Sequence, residues 1–189
     1  CDLTYKLRWS KEREEYISLC NCCPPNTIRT IAEIHNYFYN ISNEGLWINL
    51  YGGNSLNTKL TDGSEIRLSQ ITNYPWDGKV SIILNPKSTQ TFTVHLRIPG
   101  WALGEPLPGN LYYFLDKDSS DVILAINSKP IDFQIKKGYA VINRQWSKGD
   151  VIELNLPMQV CRVFAHENVE ENRNKIALVR GPLVYCAEW

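Results

Sequence analysis

The sequence lacks the features that would place it in several common classes of protein. Its formal net charge is zero over 189 residues, so nothing suggests nucleic acid or an anionic membrane as a partner. It contains no apolar run long enough to span a bilayer. It shows no signal peptide, residue 1 is Cys rather than Met, and residues 183 to 189 resemble a strand that stops mid-pattern. We therefore expect a segment of a longer protein.

The chain also lacks a dense disulfide framework and a nucleotide-binding pattern. Six cysteines are few for a chain of this size, and three of them lie within four positions. No alternation of strands and helices and no glycine-rich phosphate loop appears. The length is enough for one large domain with its own core.

The most distinctive segment is Cys20-Asn21-Cys22-Cys23-Pro24-Pro25-Asn26. A disulfide between the adjacent Cys22 and Cys23 would close a strained ring and is disfavoured. Crowded thiolates suit a thiophilic metal such as zinc, or a reactive thiol. The two prolines fit the first turn of a helix, so the cysteines would lie at its N-terminus, where the helix dipole favours a thiolate.

The same cysteines have a second interpretation, because buried cysteine is most often inert packing. No His or further Cys lies close enough in sequence to complete four zinc ligands. The spacing alone does not decide whether these cysteines have a metal-binding or catalytic role or are inert packing residues. Cys20 is not assigned to a site.

A helix is predicted over residues 26 to 41. Ile28, Ile31, Ile34, Phe38 and Ile41 recur at spacings of three and four, which places them on one face. Asn43 and Gly45 would end the helix. His35 would lie on the same face, where a packed or hydrogen-bonded histidine is more common than a ligand.

After Gly45 the apolar pattern changes to a period of two, which predicts about ten short strands separated by turns. In the strand over residues 91 to 98, Phe92, Val94, Leu96 and Ile98 would face a core. His95 would lie on the polar, solvated face. Regular short strands with turn residues between them are typical of an antiparallel β-sandwich.

Residues 99 to 120 are predicted to be an irregular loop, because prolines and glycines recur through their first half. The aromatic residues of this stretch, Trp101 and Tyr112-Tyr113-Phe114, could stack on sugars or cover the sandwich core. We favour the covering role.

Several motifs resemble glycoside hydrolase family 127, the β-L-arabinofuranosidases. The cysteine segment before a helix is the first. The others are Trp47-Ile48-Asn49-Leu50-Tyr51, Tyr74-Pro75-Trp76-Asp77-Gly78, Leu96-Arg97-Ile98-Pro99-Gly100-Trp101-Ala102, Gly138-Tyr139, Trp146-Ser147-Lys148-Gly149-Asp150, Leu156-Pro157-Met158 and Val179-Arg180-Gly181-Pro182-Leu183-Val184-Tyr185.

The resemblance implies a mainly β chain whose short helical segment completes an upstream (α/α)6 barrel. The implied domains are residues 1–44 (barrel end), 45–165 (β-sandwich) and 166–189 (start of a further β-sandwich segment). Cys22 matches the nucleophile and a zinc ligand, and Cys23 matches a second zinc ligand. A zinc-bound thiolate would attack the anomeric carbon, and water would hydrolyse the thioglycosyl intermediate with retention. The acid/base Glu and the other zinc ligands would lie upstream, so the chain alone would be inactive.

Two alternatives remain at this stage. The chain would be a carbohydrate-binding or domain-packing β-sandwich with inert cysteines, or Cys20, Cys22 and Cys23 would hold a structural metal without turnover. A plant-type glycan or arabinofuranoside is the expected substrate, the upstream barrel the expected partner, and the periplasm or exterior the expected location.

Overall fold

A computed structural model describes residues 23–115 and 121–186. The chain divides into two compact units, with the boundary between Phe38 and Tyr39. Cys1, Cys20 and Cys22 lie outside the described residues. No helix in the described part of the chain has the length and apolar character needed to cross a membrane. The predicted boundaries at 44/45 and 165/166 stay predictions about the whole protein.

The smaller unit contains the one α-helix of the described residues, α1 (Cys23–Glu33), followed by a 3₁₀ helix (Ile34–Tyr37). Pro24 and Pro25 occupy the first turn, as the sequence predicts, since proline has no amide hydrogen to leave unpaired there. Asn26 accepts a hydrogen bond from the Arg29 guanidinium at 2.8 Å. Thr30 Oγ1 donates to the Asn26 carbonyl at 2.9 Å.

The predicted helix is too long at its C-terminal end. Residues 39 to 42 form a strand, and Asn43 and Glu44 make the turn of a tight hairpin rather than a helix end. Gly45 has φ of 129°, a conformation that side chains rarely adopt, and a Cβ there would overlap the Thr93 carbonyl. Ile41 fits both the helical and the alternating pattern, and its pairing with Leu46 decides for the strand.

The larger unit is built from short strands, as the alternating pattern predicts. The strands are β1 (Tyr39–Ser42), β2 (Gly45–Ile48), β3 (Asn54–Lys59), β4 (Glu65–Thr72), β5 (Lys79–Pro86), β6 (Gln90–Arg97), β7 (Tyr112–Phe114), β8 (Ile123–Ile126), β9 (Lys129–Pro130), β10 (Gln134–Lys136), β11 (Tyr139–Trp146), β12 (Asp150–Asn155), β13 (Val160–Ala165), β14 (Ala177–Arg180) and β15 (Leu183–Tyr185).

The strands form two large sheets and one small one. The first has the order β1-β2-β6-β11-β10 and the second β3-β4-β5-β12-β8-β9. The third has the order β15-β14-β13-β7. Neighbouring strands are antiparallel except β2 and β6, which are parallel. This confirms the mainly β, antiparallel architecture.

The inward side chains of the two large sheets form one hydrophobic core. Leu46, Val94 and Ile142 come from the first sheet, and Leu68 and Ile82 from the second. Trp146 is fully buried, and its indole N–H donates to the Phe92 carbonyl at 3.0 Å. A buried indole needs such a partner, because an unpaired N–H in an apolar core is costly.

The stretch over residues 99 to 120 is more ordered than predicted in its described part. Gly100–Leu103 form a 3₁₀ helix, and Trp101 packs against the core, as expected for a covering residue. Tyr112–Phe114 instead form β7, which pairs with β13 in the third sheet. Tyr113 stacks on Phe164 there, with 6.3 Å between ring centroids. These three aromatic residues therefore belong to the third sheet, not to the sandwich core.

Candidate functional site

The predicted site residues lie at the N-terminal end of α1. The helix begins at Cys23, immediately after Cys22 in sequence. Cys22 lies outside the described residues, and for Cys23 the structure describes the backbone alone. The nucleophile and zinc-ligand assignments of Cys22 and Cys23 stay predictions. The residues described in full contain no group of three or more His, Cys, Asp or Glu arranged to hold a metal.

The apolar face of α1 is exposed. Ile28 and Ile31 are each 62% exposed, and Ile34 and Tyr37 are also exposed. His35 is exposed too, so the prediction of a packed core histidine is wrong. The spacing correctly identified an apolar stripe, but pattern alone does not say what covers it.

Several sequence motifs of the larger unit lie against one another. Arg180 donates a hydrogen bond from Nη1 to the Trp76 carbonyl at 2.7 Å. A Cβ on Gly181 would overlap the Met158 sulfur and lie 3.4 Å from Cη2 of Trp101. Four motifs that are far apart in sequence thus meet around Trp76 and Met158.

Trp76 is held by its backbone while its side chain stays 69% exposed. Its amide donates to the Asn73 carbonyl at 2.8 Å, and Arg180 binds its carbonyl. Asp77 Oδ1 accepts from the Lys79 amide at 3.0 Å, which completes the turn between β4 and β5. An exposed indole on a hydrogen-bonded loop can offer a flat apolar face to a ligand or another protein surface.

Gly78 fixes the position of this loop on the neighbouring segment. The Leu156 amide donates to the Gly78 carbonyl at 2.9 Å. A Cβ at Gly78 would overlap the Leu156 carbonyl and lie 2.9 Å from Cγ of Met158. Glycine is therefore required here for close backbone approach.

Two tyrosines of these motifs contact the hydrophobic core: Tyr51 is buried in it and Tyr74 packs against it. The Tyr51 hydroxyl donates to the Arg97 carbonyl at 2.5 Å, and its ring meets Tyr74 edge to face at 5.9 Å. Burial raises the pKa of the Tyr51 hydroxyl strongly. Burial also raises the pKa of Tyr74, and a hydrogen bond from Trp101 opposes that rise only in part.

An aromatic cluster lies on the outer face of the first large sheet. The rings of Trp47 and His95 stack with 3.7 Å between centroids and 7° between planes. Tyr139 meets Trp47 edge to face at 4.9 Å, and the Arg97 guanidinium lies 5.2 Å from the Tyr139 ring centroid. His95 Nε2 is 3.1 Å from the Glu44 carbonyl oxygen.

His95 corrects one prediction from the sequence. It points away from the sandwich core, as the alternation indicates, but it is only 6% exposed rather than solvated. Trp47 covers it because the two residues are directly opposed in the parallel pairing of β2 with β6. That pairing joins distant segments, so local periodicity contained no signal for it.

Sequence comparison assigns the larger unit and the end of the chain to one family. Residues 45–158 match the profile described as "Beta-L-arabinofuranosidase, GH127 middle domain", and residues 160–189 match "Glycoside hydrolase family 127 C-terminal domain". A curated relative, the "Non-reducing end beta-L-arabinofuranosidase" of Bifidobacterium longum subsp. longum, is 32% identical over 89% of this chain and 23% of its own length.

Solved structures agree with the sequence match. A GH127 β-arabinofuranosidase superposes with a TM-score of 0.87 at 38% identity, over 94% of this chain and 27% of that protein. A GH127 β-L-arabinofuranosidase from Geobacillus stearothermophilus T6 gives 0.78 at 41% identity, over 92% and 25%. The chain thus spans about a quarter of the length of these relatives. This chain belongs to glycoside hydrolase family 127.

Proposed function

We propose that this chain supplies the nucleophile and part of a zinc site to a retaining β-L-arabinofuranosidase. Cys22 is the nucleophile and a zinc ligand, and Cys23 is a second ligand. The observation that carries the proposal is the start of α1 at Cys23, with Pro24 and Pro25 in the first turn of an 11-residue helix. Pro24 and Pro25 carry no amide hydrogen, so it is the helix dipole at this end that favours an anionic thiolate.

The donor chemistry of Cys22 and Cys23 fits zinc, because thiolates are its preferred soft ligands. Zinc bound there would keep the thiols deprotonated. Two ligands do not complete a tetrahedral site, so the other two come from a further part of the protein. The acid/base carboxyl group comes from there as well, because a retaining glycosidase needs one opposite its nucleophile.

The reaction has two displacements at the anomeric carbon. The Cys22 sulfur attacks that carbon while the acid/base residue protonates the departing glycosidic oxygen, which forms a thioglycosyl bond and releases the aglycone. Water, deprotonated by the same residue, then breaks the thioglycosyl bond. The second inversion restores the original configuration, and the thiolate is regenerated.

The partner that completes the site is a helical domain of the same protein. The exposed stripe of Ile28, Ile31, Ile34 and Tyr37 on α1 and its 3₁₀ extension supports this, because apolar helix faces are stable when another element covers them. The substrate is an arabinofuranoside of a plant-type glycan, and the periplasm or exterior is the proposed location. Residues 1–189 alone are expected to be inactive.

A matched pair of cysteine variants in the longer protein tests the nucleophile. Cys22→Ser should lower kcat on an aryl β-L-arabinofuranoside by at least about 10³-fold, since removing a nucleophile removes the covalent route. Cys161→Ser, in β13 of the third sheet, should leave turnover unchanged. Undiminished turnover by Cys22→Ser would overturn the nucleophile assignment.

A second candidate function is a non-catalytic carbohydrate-binding or domain-packing module. The exposed, backbone-anchored Trp76 favours it, because such an indole can stack on a sugar ring. Titration of residues 1–189 with arabino-oligosaccharides, monitored by tryptophan fluorescence, tests it. Saturable binding that Trp76→Ala abolishes would support the module, and no binding by either protein would dismiss sugar binding by this chain.

A further inference from the structure

The outer face of the second large sheet has a cleft of about 470 Å³, lined by residues of the adjacent strands β3, β4 and β5. Its polar lining includes Asn57, Lys59, Glu65, Arg67, Asn85 and Lys87. Three of these side chains are cationic and one is anionic, which gives a local excess of two positive charges. The whole chain has a formal net charge of zero, so this cleft is a local concentration of positive charge.

The centre of the cleft is a row of three side chains in register. Asn57 pairs with Arg67 across β3 and β4, and Arg67 pairs with Asn85 across β4 and β5. Ile66 and Leu68, the neighbours of Arg67 along β4, are buried. Because successive side chains of a strand point to opposite faces, the Arg67 side chain points outward. Adjacent strands are about 4.8 Å apart, so the row spans about 10 Å, comparable to a short oligosaccharide.

Asn57 orients the guanidinium group of Arg67. Nε of Arg67 donates to Asn57 Oδ1 at 2.6 Å. That bond engages the Nε–H, and the edge formed by the two Nη groups is a separate edge of the guanidinium. Among the described residues no carboxylate forms an ion pair with Arg67. A planar guanidinium with an unused edge is suited to a bidentate bond with a carboxylate.

The two lysines of the cleft, Lys59 and Lys87, both pair with its one carboxylate, Glu65. Lys87 Nζ lies 3.0 Å from one Glu65 oxygen, and Lys59 Nζ lies 3.6 Å from the other. The hydrogen bond from Lys87 and the charges of both lysines lower the pKa of Glu65, which stays ionised near neutral pH. One carboxylate is thus shared by two ammonium groups, and the charge of Arg67 is left for a ligand.

We propose that this cleft binds a carboxylate-bearing sugar of an acidic glycan. Arg67 holds the carboxylate, while the amides of Asn57 and Asn85 bind neighbouring hydroxyl groups. The identity of the ligand as a glycan rests on the proposed glycosidase function, whereas the need for a carboxylate rests on the cleft itself.

The test measures binding of residues 1–189 to polygalacturonate at low ionic strength. Arg67→Gln should weaken binding about tenfold, because it removes a charge-assisted bidentate bond. Arg67→Lys keeps the charge without the fork and should lose part of the affinity. The control Arg173→Gln removes the same charge from an exposed residue that directly follows the 3₁₀ turn Glu170–Asn172 and should change nothing. Thermal unfolding of each variant should match the parent chain.

Two further ligands separate the carboxylate from other sources of affinity. Fully methyl-esterified polygalacturonate has the same sugars without charge and should bind at least about tenfold more weakly. Inorganic phosphate at the same charge concentration should not displace the polymer. Equal binding by Arg67→Gln, equal binding of the ester, an equal loss in Arg173→Gln, or full displacement by phosphate would each overturn the proposal.

The outcome of the polygalacturonate binding assay does not depend on the proposed cysteine chemistry. An aryl arabinofuranoside carries no carboxylate, so Arg67→Gln in the longer protein should hydrolyse it at the parent rate. Failure of the acidic-glycan site would appear only in the binding assay. Failure of the proposed catalytic function would appear only in the Cys22→Ser comparison.

Discussion

Arg180 donates a 2.7 Å hydrogen bond to the Trp76 carbonyl across 104 positions of sequence. The contact joins the third sheet to the β4–β5 loop of the sandwich. Beside it, Gly181 approaches Met158 and Trp101 so closely that a Cβ would not fit without displacing Met158. The middle-domain and C-terminal-domain segments are therefore packed against each other, and several family motifs are located at that contact.

Gly78→Ala should destabilise the sandwich strongly. The new Cβ would overlap the backbone carbonyl of Leu156, which cannot rotate away as a side chain would. We expect a loss of about 2–4 kcal/mol in the free energy of unfolding, measured by urea denaturation. Gly53→Ala is the matched control, because a Cβ at that position would have no heavy atom within 4 Å, and its change should stay within about 0.5 kcal/mol. Equal effects would refute the packing argument.

Trp47 should protect His95 from chemical modification. The stacked indole covers the imidazole, which is only 6% exposed. Diethyl pyrocarbonate should modify the exposed His35 quickly and His95 slowly, as read by peptide mass spectrometry. Trp47→Ala should make His95 react at a rate close to that of His35 and lower the stability by about 2 kcal/mol. Rapid modification of His95 in the parent chain would contradict the stacking.

Tyr51 should make the chain lose stability at high pH. Its pKa is raised by burial, so above the ordinary tyrosine pKa of about 10 the unfolded chain binds fewer protons than the folded chain. The stabilising contribution is therefore complete below about pH 10 and declines above it, by at most about 1.4 kcal/mol per pH unit. Urea denaturation from pH 8 to 11 measures this slope.

A pair of tyrosine variants isolates that effect. Tyr51→Phe should reduce the decline above pH 10, because the residue that titrates is gone. Tyr113→Phe should leave it unchanged, since the Tyr113 side chain is exposed. Identical slopes in the parent chain and Tyr51→Phe would assign the decline to other groups.

The amount of zinc bound should be greater in the longer protein than in residues 1–189 alone. The longer protein should retain zinc after dialysis, and Cys23→Ser should lower the retained amount. Residues 1–189 alone should hold it weakly, because two thiolates make half of a tetrahedral site. Cys161→Ser serves as the control. Retention of a full zinc equivalent by Cys23→Ser would contradict the assignment of that ligand.

Much of the fold could be predicted from local sequence because strand periodicity is a local property. The alternation of Phe92, Val94 and Leu96 identified β6 and its buried face. The strand at Tyr39–Ser42 was mistaken for helix because Ile41 fits both periods. Its hairpin with β2 was set by Gly45, whose backbone conformation and approach to Thr93 depend on a distant strand.

Features that depend on pairing between distant segments had no local signal. The burial of His95 under Trp47 follows from the parallel β2–β6 pair, and the recruitment of Tyr112–Phe114 into the third sheet follows from β13. The Asn57–Arg67–Asn85 row likewise requires the register of three strands. By contrast, the helix start after Cys22 could be predicted, since proline chemistry at a helix N-terminus is local.

The most direct test of Cys22 as the nucleophile is identification of the residue that becomes glycosylated. The longer protein would be mixed with an aryl β-L-arabinofuranoside, quenched rapidly, digested and mapped by mass spectrometry. We expect a pentosyl adduct on the peptide that contains Cys22, with the sugar on that sulfur, and its disappearance in Cys22→Ser. An adduct on a carboxylate or on another cysteine, with Cys22 unmodified, would contradict it.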